Sequence, residues 1–424
     1  MTIVTRHSEP SRSDGEESLP PGEETLRRYA AQGDKGPLPK GWRWVSLGDA
    51  CEFLDSRRIP VNETERAKRV AGKQPSELYP YYGANGQVGW IDEYIFDEPL
   101  ILLAEDGGFF GSKDKPIAYA VSGRYWVNNH AHVLRPRDGI DFNYCLHALR
   151  IRPDVGDMVA GSTRAKLNQD VATRIPIPLP PLAEQRRIAA ILQDQLAGVE
   201  RARVAAEEQL KAAQALPAAY LRAVFNSPEA QQWPRKPLGD MCEIVARQVD
   251  PKIPEYGMLP HVNGENIESG TGRLTYLNTA NQDGMISGKY LFEPGDVLYS
   301  KLRPYLRKVT VVDFRGVCSA DMYPIRVNRE LLDPHFAGRL LLSEEFTWYA
   351  DEQSRRARMP KLNRDQLFAW RAPLPPLSEQ SRIVTEMREN LAAADQARLA
   401  LQAQLESINR LPAALLRRAF NGEL

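Results

Sequence analysis

The chain carries one helical sequence twice, and this repeat constrains its architecture more than any other feature. PLPPLAEQRRI at residues 178–188 returns as PLPPLSEQSRI at 373–383, and the match continues without insertion to LPAAYLRAVFN at 216–226 and LPAALLRRAFN at 411–421. Roughly half of the aligned positions are identical, which indicates an internal duplication. We therefore expect two similar halves, each a globular block followed by the same helical segment.

The duplication also marks the boundaries of the two globular blocks. Trp42 precedes Leu-Gly-Asp and Cys-Glu at one block's start, Trp233 precedes the same residues at the other, and each helix follows a KLN string (KLNQD, KLNRD). These landmarks predict five segments: a polar, disordered extension at 1–37, a globular block at 38–177, a helical spacer and linker at 178–232, a second block at 233–372 and a second helical spacer at 373–424.

Both blocks are predicted to mix strands with a few helices. YIFDEPLILLAEDGG (94–108) and KYLFEPGDVLYSKL (289–302) each contain an apolar run after an E-P turn and are predicted to be equivalent buried strands. DFNYCLHAL (141–149) and PHFAGRLLLS (334–343) are predicted to be short amphipathic helices. The predicted fold class is α+β, with two mixed α/β domains joined by two long helices.

The repeated helices show coiled-coil spacing over about four heptads. A helix over 182–215 would be about 50 Å long, and Pro217 and Pro412 are expected to end it before a short second helix. Since each apolar stripe must be buried, we expect antiparallel pairing of the two helices with pseudo-twofold symmetry, which would place Leu192 near Leu405. The predicted seam consists of Leu192, Leu196, Val199, Leu210, Met387, Leu391, Leu401 and Leu405.

An arginine interrupts the seam at the same register in both copies. Arg203 and Arg398 either pack their stems and extend their charged ends into water, or fix the pairing register as buried polar groups can.

Composition limits the class of protein. The chain has 424 residues, no net charge and four scattered cysteines, which predicts at least two domains and reduced thiols in a cytoplasmic protein. No apolar run approaches the roughly 18 residues of a membrane span, and the polar N-terminus has no apolar core of a signal peptide. Because the chain has no net charge, any surface that binds nucleic acid must be a local patch of basic residues.

No catalytic motif emerges from the sequence. The chain lacks GxxxxGK[ST], GxSxG and HExxH, and EDGGFFGSK (105–113) has the wrong spacing for a phosphate loop and is predicted to be a strand-end turn. A zinc site could be imagined from His130, His132, Cys145 and His147, but the second half has no equivalent set. We therefore predict no catalytic residue and no metal site.

Basic clusters are the positive indication of a binding surface. SKLRPYLRK (300–308) and SRRARMPKLNR (354–364) carry several basic residues and no acid, and STRAKLN (162–168) is a weaker counterpart in the first half. Basic residues beside an aromatic in a turn-rich loop suit phosphate contact and groove insertion. The predicted DNA contacts are Lys301, Arg303, Tyr305, Arg307, Lys308, Arg355, Arg356, Arg358 and Lys361, with Lys113, Arg164 and Lys166 as weaker candidates.

The doubled PLPPLxEQxRI string with LPxxxLRxxFN closing each copy resembles the specificity subunit of Type I restriction–modification systems. GDVLYSKLRPYLRKV (295–309), YYGANGQVGWIDEYIF (81–96) and AFNGEL (419–424) resemble the same family. The likeness covers residues 38–424, and the N-terminal extension departs from it.

The resemblance implies two target recognition domains that read a split, asymmetric site on double-stranded DNA, and paired helices that bind two modification subunits. It also implies that this chain is not itself an enzyme and holds no cofactor. S-adenosylmethionine, ATP and Mg²⁺ would be used by the modification subunits and by restriction subunits. The alternatives are a coiled-coil adaptor without DNA specificity, or the recognition part of a fused methyltransferase–nuclease.

Overall fold

The computed structural model describes residues 38–159, 165–354 and 360–424. The chain divides into two compact units. The first unit comprises the residues up to Ala205 together with Leu405–Leu424, and the second unit comprises Ala206–Gln404. Each globular block therefore forms a unit with parts of both repeated helices. No helix among the described residues is long and apolar enough to cross a membrane.

The first unit contains ten strands and four short helices among its described residues. The strands are β1 (Arg43–Ser46), β2 (Cys51–Phe53), β3 (Tyr79–Gly83), β4 (Gly86–Ile91), β5 (Phe96–Asp97), β6 (Leu100–Ala104), β7 (Ala118–Val121), β8 (Arg124–Val127), β9 (Ala131–Pro136) and β10 (Pro176–Leu179). The helices are α1 (Leu47–Ala50), α2 (Glu63–Val70), α3 (Phe142–Arg150) and α4 (Gln169–Ala172). Short 3-10 turns occupy Asp55–Arg57, Pro75–Glu77 and Pro153–Met158.

Two four-stranded sheets and one strand pair organise the first unit. The sheets have the orders β2-β9-β6-β7 and β4-β3-β8-β5, and β1 pairs with β10. The central strand β6 is buried at every position, as expected for the apolar run after the E-P turn. Its side chains enter two apolar clusters, because successive residues of a strand face opposite sides of the sheet.

The long helix α5 (Leu182–Phe225) follows the first block and leads into the second. The short helix α6 (Pro228–Gln231) lies in the linker, the second block contains α7 (Pro254–Gly257), α8 (Pro334–Leu341), α9 (Glu344–Ser354) and α10 (Arg364–Ala369), and the chain ends with the long helix α11 (Leu377–Phe420). The 3-10 turns of the second block occupy Leu238–Asp240, Gly264–Asn266 and Pro304–Leu306. Its strands are β11 (Arg235–Pro237), β12 (Cys242–Ile244), β13 (Gln248–Val249), β14 (His261–Val262), β15 (Lys289–Phe292), β16 (Val297–Ser300), β17 (Val309–Val311), β18 (Gly316–Cys318), β19 (Met322–Val327) and β20 (Arg371–Pro373).

The two blocks share one sheet and differ at the edge of the other. The sheet β12-β19-β16-β17 repeats the order of β2-β9-β6-β7, and β11 pairs with β20 as β1 pairs with β10. In the other sheet, β14-β18-β15 repeats the parallel and antiparallel pairings of β3-β8-β5. The fourth strand then lies on opposite edges, since β4 pairs with β3 whereas β13 pairs with β15. The expected duplication is thus confirmed, and the diverged middles differ in topology.

The two long helices pair antiparallel. In the first unit, Leu192 near the beginning of α5 shares a core with Leu416 near the end of α11. In the second unit, Met387 near the beginning of α11 shares a core with Leu221 near the end of α5. Beginnings therefore pack with ends in both units, as the shared heptad spacing predicted.

The helix register differs from the expected one. Leu192 lies with Leu416, about three helical turns beyond Leu405. Equivalent cavities mark the pairing in each unit: one is lined by Leu196, Val199, Ile408 and Pro412, and the other by Leu391, Ala394, Ala213 and Pro217. The overlap is longer than predicted because both helices continue past their prolines.

Neither proline ends its helix, which corrects the prediction of a break. Pro217 and Pro412 lie inside helices of 44 residues each. A proline in a helix interior costs about 3 kcal/mol because it removes one hydrogen bond and crowds the carbonyl four residues earlier. Burial of Leu221 and Phe225 beyond Pro217, and of Leu416 and Ala419 beyond Pro412, offsets that cost.

The predicted seam residues are buried or half-buried, with Leu192 and Met387 the most enclosed. The two arginines in the seam keep their charged ends on the helix surface. Arg203 pairs with Glu200 at 2.6 Å, and Arg398 pairs with Asp395 at 2.8 Å, each one turn away on the same helix. This geometry fits arginine stems that pack against the helices and does not use the arginines to fix the register.

The glutamine of each PLPPLxEQ string joins its long helix to its block. Gln185 accepts a 2.8 Å hydrogen bond from the backbone N–H of Asp141, and Gln380 does the same for Asp333. Both amides also donate to the carbonyl five residues earlier, at 2.9 Å. Asp141 and Asp333 in turn cap α3 and α8. The repeated motif is therefore explained by a buried polar junction.

Candidate nucleic-acid interface

Each block presents a loop directly after its central strand. The first loop (residues 105–112) follows β6, and the second loop (residues 301–308) follows β16. We call residues 165–168 and 360–363, which contain the KLN strings, the KLN segments. Each loop forms an isolated backbone bridge to its KLN segment, Asp106 with Lys166 and Leu302 with Lys361. The structure thus brings together two basic clusters that lie far apart in the sequence of the second half.

The backbone bonds between loop and KLN segment are the same in both units. Leu167 N–H donates to the Glu105 carbonyl at 2.8 Å, as Leu362 N–H does to the Lys301 carbonyl at 2.9 Å. In the other direction, Gly107 N–H donates to Ala165 at 3.2 Å, and Arg303 N–H to Pro360 at 2.9 Å. Gly107 and Arg303 are therefore equivalent positions.

Both loops use left-handed backbone at the same two places. Gly107 and Gly111 have φ of 72° and 77°, and their counterparts Arg303 and Arg307 have φ of 49° and 50°. Glycine adopts this conformation without steric cost, whereas other L-residues lose roughly 1–2 kcal/mol. Among the described non-glycine residues, only these two arginines have positive φ, so the second loop holds strain that the first avoids.

Three of the predicted DNA contacts have their charged ends bonded to backbone carbonyls of the second unit. Lys301 donates to the Ala320 carbonyl, and its ammonium lies 5.1 Å from the centre of the Tyr323 ring. Arg307 donates to the Leu342 carbonyl, and Lys308 donates to the Ile267 carbonyl at 2.6 Å. Burial lowers the pKa of both Lys301 and Arg307. These side chains fix the loop instead of extending from it.

The remaining described candidates of the second loop face solvent. Tyr305, at the tip of the loop, is 52% exposed, and Arg303 and Lys361 are also exposed. Together they place an aromatic ring and two cations on one loop and its KLN segment. This combination suits contact with a polyanion that also has flat apolar faces.

The weaker candidates of the first unit are separated from one another. Lys166 is half-exposed, with its ammonium 3.5 Å from the Glu105 carboxylate. Lys113 is exposed and lines a cavity of about 180 Å³ together with Trp44 and Phe420. Arg164, like Arg355, Arg356 and Arg358 of the second half, lies outside the described residues.

Beneath the first loop lies an ionic network that the sequence analysis missed. His132 Nδ1 is 2.6 Å from Asp55 Oδ2, and its Nε2 donates to the Leu167 carbonyl at 2.8 Å. Arg58 Nη1 lies 2.7 Å from Glu105 Oε2, and Arg58 Nη2 lies 3.3 Å from Asp55 Oδ2. The network fastens the KLN segment to the beginning of β9 and to the first loop.

Asp55, Glu105 and His132 bring three possible metal-ligand atoms within 4.8 Å of one another. The guanidinium of Arg58 already faces both carboxylates, so a side chain of this chain occupies the place of a cation and offsets part of their charge. The residues considered for zinc are divided among other partners. His130 faces Asp106 at 3.2 Å, and Cys145 Sγ faces Cys51 Sγ at 3.4 Å.

Tyr323 replaces the ionic network in the second unit. It pairs across the sheet with Tyr299 as His132 pairs with Leu103. Its hydroxyl donates to the Leu362 carbonyl at 3.3 Å, which repeats the bond from His132 to Leu167.

Phe109 is a further residue that the sequence analysis missed. It follows Gly107 by two positions, as Tyr305 follows Arg303, and it is 39% exposed. The Lys115 ammonium lies 4.7 Å from the centre of its ring. The E-P turn shared by the two halves would not have aligned the loops, because Glu98 and Glu293 are 195 residues apart whereas Gly107 and Arg303 are 196 apart, and EDGGFFGS and KLRPYLRK have no identical residue in register.

A family model described as the Type I restriction modification DNA specificity domain matches the chain twice, at residues 39–210 and 230–406. Each match covers one globular block and runs into the long helix that follows it. The family thus accounts for most of both halves, including the loops and KLN segments.

Known proteins resemble the chain over nearly its whole length. It is 28% identical to the Type I restriction enzyme EcoDI specificity subunit of Escherichia coli, across 92% of this chain and 90% of that protein. It is 24% identical to the StySPI specificity subunit of Salmonella potsdam, across 92% and 91%.

Two solved structures share the fold. The HsdS subunit from Thermoanaerobacter tengcongensis has a TM-score of 0.55 at 22% identity, covering 92% of this chain and 99% of that one. A chain from a structural study of complex assembly in the type I R-M system has a TM-score of 0.66 at 20% identity, covering 92% and 100%.

Proposed function

Because the chain belongs to the family of Type I restriction modification DNA specificity domains, we propose that it is the subunit that selects the DNA sequence in a Type I restriction–modification complex. Residues 38–177 and 233–372 act as target recognition domains, one for each part of a split site. The observation that carries this proposal is the pair of blocks with the same sheet order and equivalent loops. Duplicated readers suit a bipartite target.

The target is asymmetric because the two blocks differ where they would read DNA. The fourth strand lies on opposite edges of one sheet, and the two loops differ in every residue. Different surfaces hydrogen-bond different base edges. The helices α5 and α11 set the length of the unread gap between the two half-sites. Arg303, Tyr305 and Lys361 are the proposed contacts in the second half-site, and Lys166 and Lys113 in the first.

The helical pair binds two modification subunits. The repeat gives the chain two near-identical surfaces, and two copies of one partner are the simplest occupants of such surfaces. These partners use S-adenosylmethionine, and restriction subunits use ATP and Mg²⁺, so this chain needs no cofactor of its own. The complex works in the cytoplasm.

Sequencing the methylated DNA of a host that expresses this chain with its modification subunit tests the proposal. We expect methylation at one bipartite, asymmetric motif. Exchanging residues 233–372 for the matching block of a relative should change one half of that motif and leave the other unchanged. A continuous short palindrome, or a change in both halves, would show that the blocks do not read separate half-sites.

The stoichiometry can be measured separately by native mass spectrometry, where we expect two modification subunits for each chain. Glu208→Lys and Gln404→Lys, at exposed positions of α5 and α11, should weaken that assembly. Glu63→Lys, exposed on α2, is the matched control and should not. A saturated complex with one modification subunit would contradict this part of the proposal.

A further inference from the structure

The first and second loops share their conformation but share no residue type in register. Their backbone bonds to the KLN segments and their two left-handed positions coincide. The one feature of side-chain chemistry that both retain at the tip is an exposed aromatic ring, Phe109 in the first loop and Tyr305 in the second. A single exposed ring is ordinary on a protein surface, but this one occurs at the same place in two loops that share no residue.

The second loop is held more firmly than a surface turn requires. Gly270 N–H donates to the Arg307 carbonyl at 3.1 Å, and Ser269 donates to the Leu306 carbonyl. Lys301, Arg307 and Lys308 add bonds to three further carbonyls. The backbone around Tyr305 is thus fixed from several sides, which reduces the entropy lost when the ring binds a partner.

Arg303 is the unexpected residue of this loop. Its position has left-handed backbone, and the first unit has glycine at the same place. Unlike Arg307, whose guanidinium holds the Leu342 carbonyl, Arg303 has an exposed side chain. Strained residues cluster at functional sites. An exposed arginine two residues before an exposed ring can bind a phosphate while the ring contacts a base.

We propose that the two loops are the elements that enter the DNA, each inserting its aromatic ring against a base step of its own half-site. Phe109 partly unstacks a step in the first half-site, and Tyr305 does so in the second. Arg303 and Lys361 bind the phosphates beside the second step. An apolar wedge between base steps is an established way for proteins to bend a duplex. The inference rests on the proposed function and identifies the parts of the blocks that touch DNA.

Fluorescence of 2-aminopurine tests the insertion directly, since the base brightens when it is unstacked. The assay uses the complex with modification subunits and duplexes that carry the methylated motif, with the probe placed at each half-site in turn. We expect a brightened position in each half-site. Phe109→Ala should remove the signal from the first half-site alone, and Tyr305→Ala from the second alone. Tyr305→Phe keeps the ring and should keep the signal.

Affinity provides a second readout. Loss of a stacked ring should weaken DNA binding roughly 5- to 150-fold. Arg303→Gly removes a phosphate contact and should lower the slope of log affinity against log salt by about 1, while raising the denaturation midpoint of the free chain because the strain is relieved. A purely structural role for Arg303 would leave the salt slope unchanged.

The outcomes separate this inference from the proposed function. If the wild-type complex methylates a bipartite motif, but the ring variants keep wild-type affinity and fluorescence, only the insertion model falls. If the wild-type complex methylates no bipartite motif, the proposed function falls as well.

Discussion

In the first unit the carbonyl of Leu167 accepts a hydrogen bond from His132, and in the second unit the equivalent carbonyl of Leu362 accepts one from Tyr323. The same backbone hydrogen bonds connect the loop to the KLN segment in both units, and we call this connection the joint. The side chains that surround the joint differ. Glu105 of the first unit corresponds to Lys301 of the second, so an ionic network is replaced by a cation over an aromatic ring. Duplicated folds can therefore keep a backbone joint, and even a side-chain hydrogen bond to it, while the residues that support the joint change.

The difference matters because the joint carries the proposed recognition loop. A buried network of charges depends on every member, since each unpaired charge is costly in a low dielectric. A tyrosine with a cation over its ring tolerates the loss of the cation better. We therefore expect the first loop to be the more vulnerable of the two to single substitutions.

The largest expected effect comes from Arg58→Met. It leaves Asp55 and Glu105 without their guanidinium partner and should destabilise the first unit by about 3–5 kcal/mol. The matched change, Lys301→Met, should cost about 1 kcal/mol or less, because the lost contact is offset by removing a buried charge. Hydrogen exchange of peptides covering 165–172 and 360–367 measures each joint separately. Equal protection losses would contradict the asymmetry.

A pH effect of about 3 kcal/mol is expected from His147 of α3. Burial lowers the pKa of His147 from 6.5 to about 4, and its Nδ1 has no hydrogen-bond partner. Between those values the unfolded chain binds a proton that the folded unit rejects, so stability falls as the pH drops from 6.5 to about 4. The second unit has Arg339 at the same helix position, which does not titrate in that range.

Comparing the pH dependence of unfolding of the wild type and His147→Gln isolates this contribution. The variant should lose the extra destabilisation below pH 6.5. If both chains lose stability in parallel across that window, His147 is not its source.

Removing the glutamine of the junction should lower the free energy of unfolding by a similar amount in both units, about 1–3 kcal/mol for each substitution. Gln185→Leu and Gln380→Leu each leave one partly buried backbone N–H, of Asp141 or Asp333, without its acceptor. Denaturation midpoints measure the effect, and Gln193→Leu at an exposed position of α5 is the control. Unequal losses would mean that the repeated motif is used differently in the two units.

The smallest expected change in the free energy of unfolding, about 1 kcal/mol, comes from substitutions at the left-handed positions and has opposite signs in the two loops. Gly107→Ala places a Cβ on left-handed backbone and should destabilise the first unit, whereas Arg303→Gly removes one and should stabilise the second. Chemical denaturation of the two variants shows the direction of each change. Shifts of the same sign would show that the loops do not share this strain.

Much of the architecture could be predicted from local pattern. The strands after the E-P turns, the helices α3 and α8, the two blocks and the antiparallel helices follow from apolar spacing and exact repetition. The candidate site was predicted less well. Of the four basic side chains proposed in the second loop, Lys301, Arg307 and Lys308 bind carbonyls of their own unit. The prediction missed this because a basic residue that bonds backbone oxygens has the same sequence signature as one that contacts phosphate.

The sequence by itself determined that this protein is duplicated and that each half joins a sheet-rich block to a long helix, since periodicity and repetition are properties of the chain. Tertiary structure alone decided that Pro217 and Pro412 stay within helices, because the burial that offsets their cost involves the other helix and the block. It also decided that Phe109 and Tyr305 occupy equivalent places. Sequences without a common residue can share a loop when the same backbone hydrogen bonds and left-handed positions define its path.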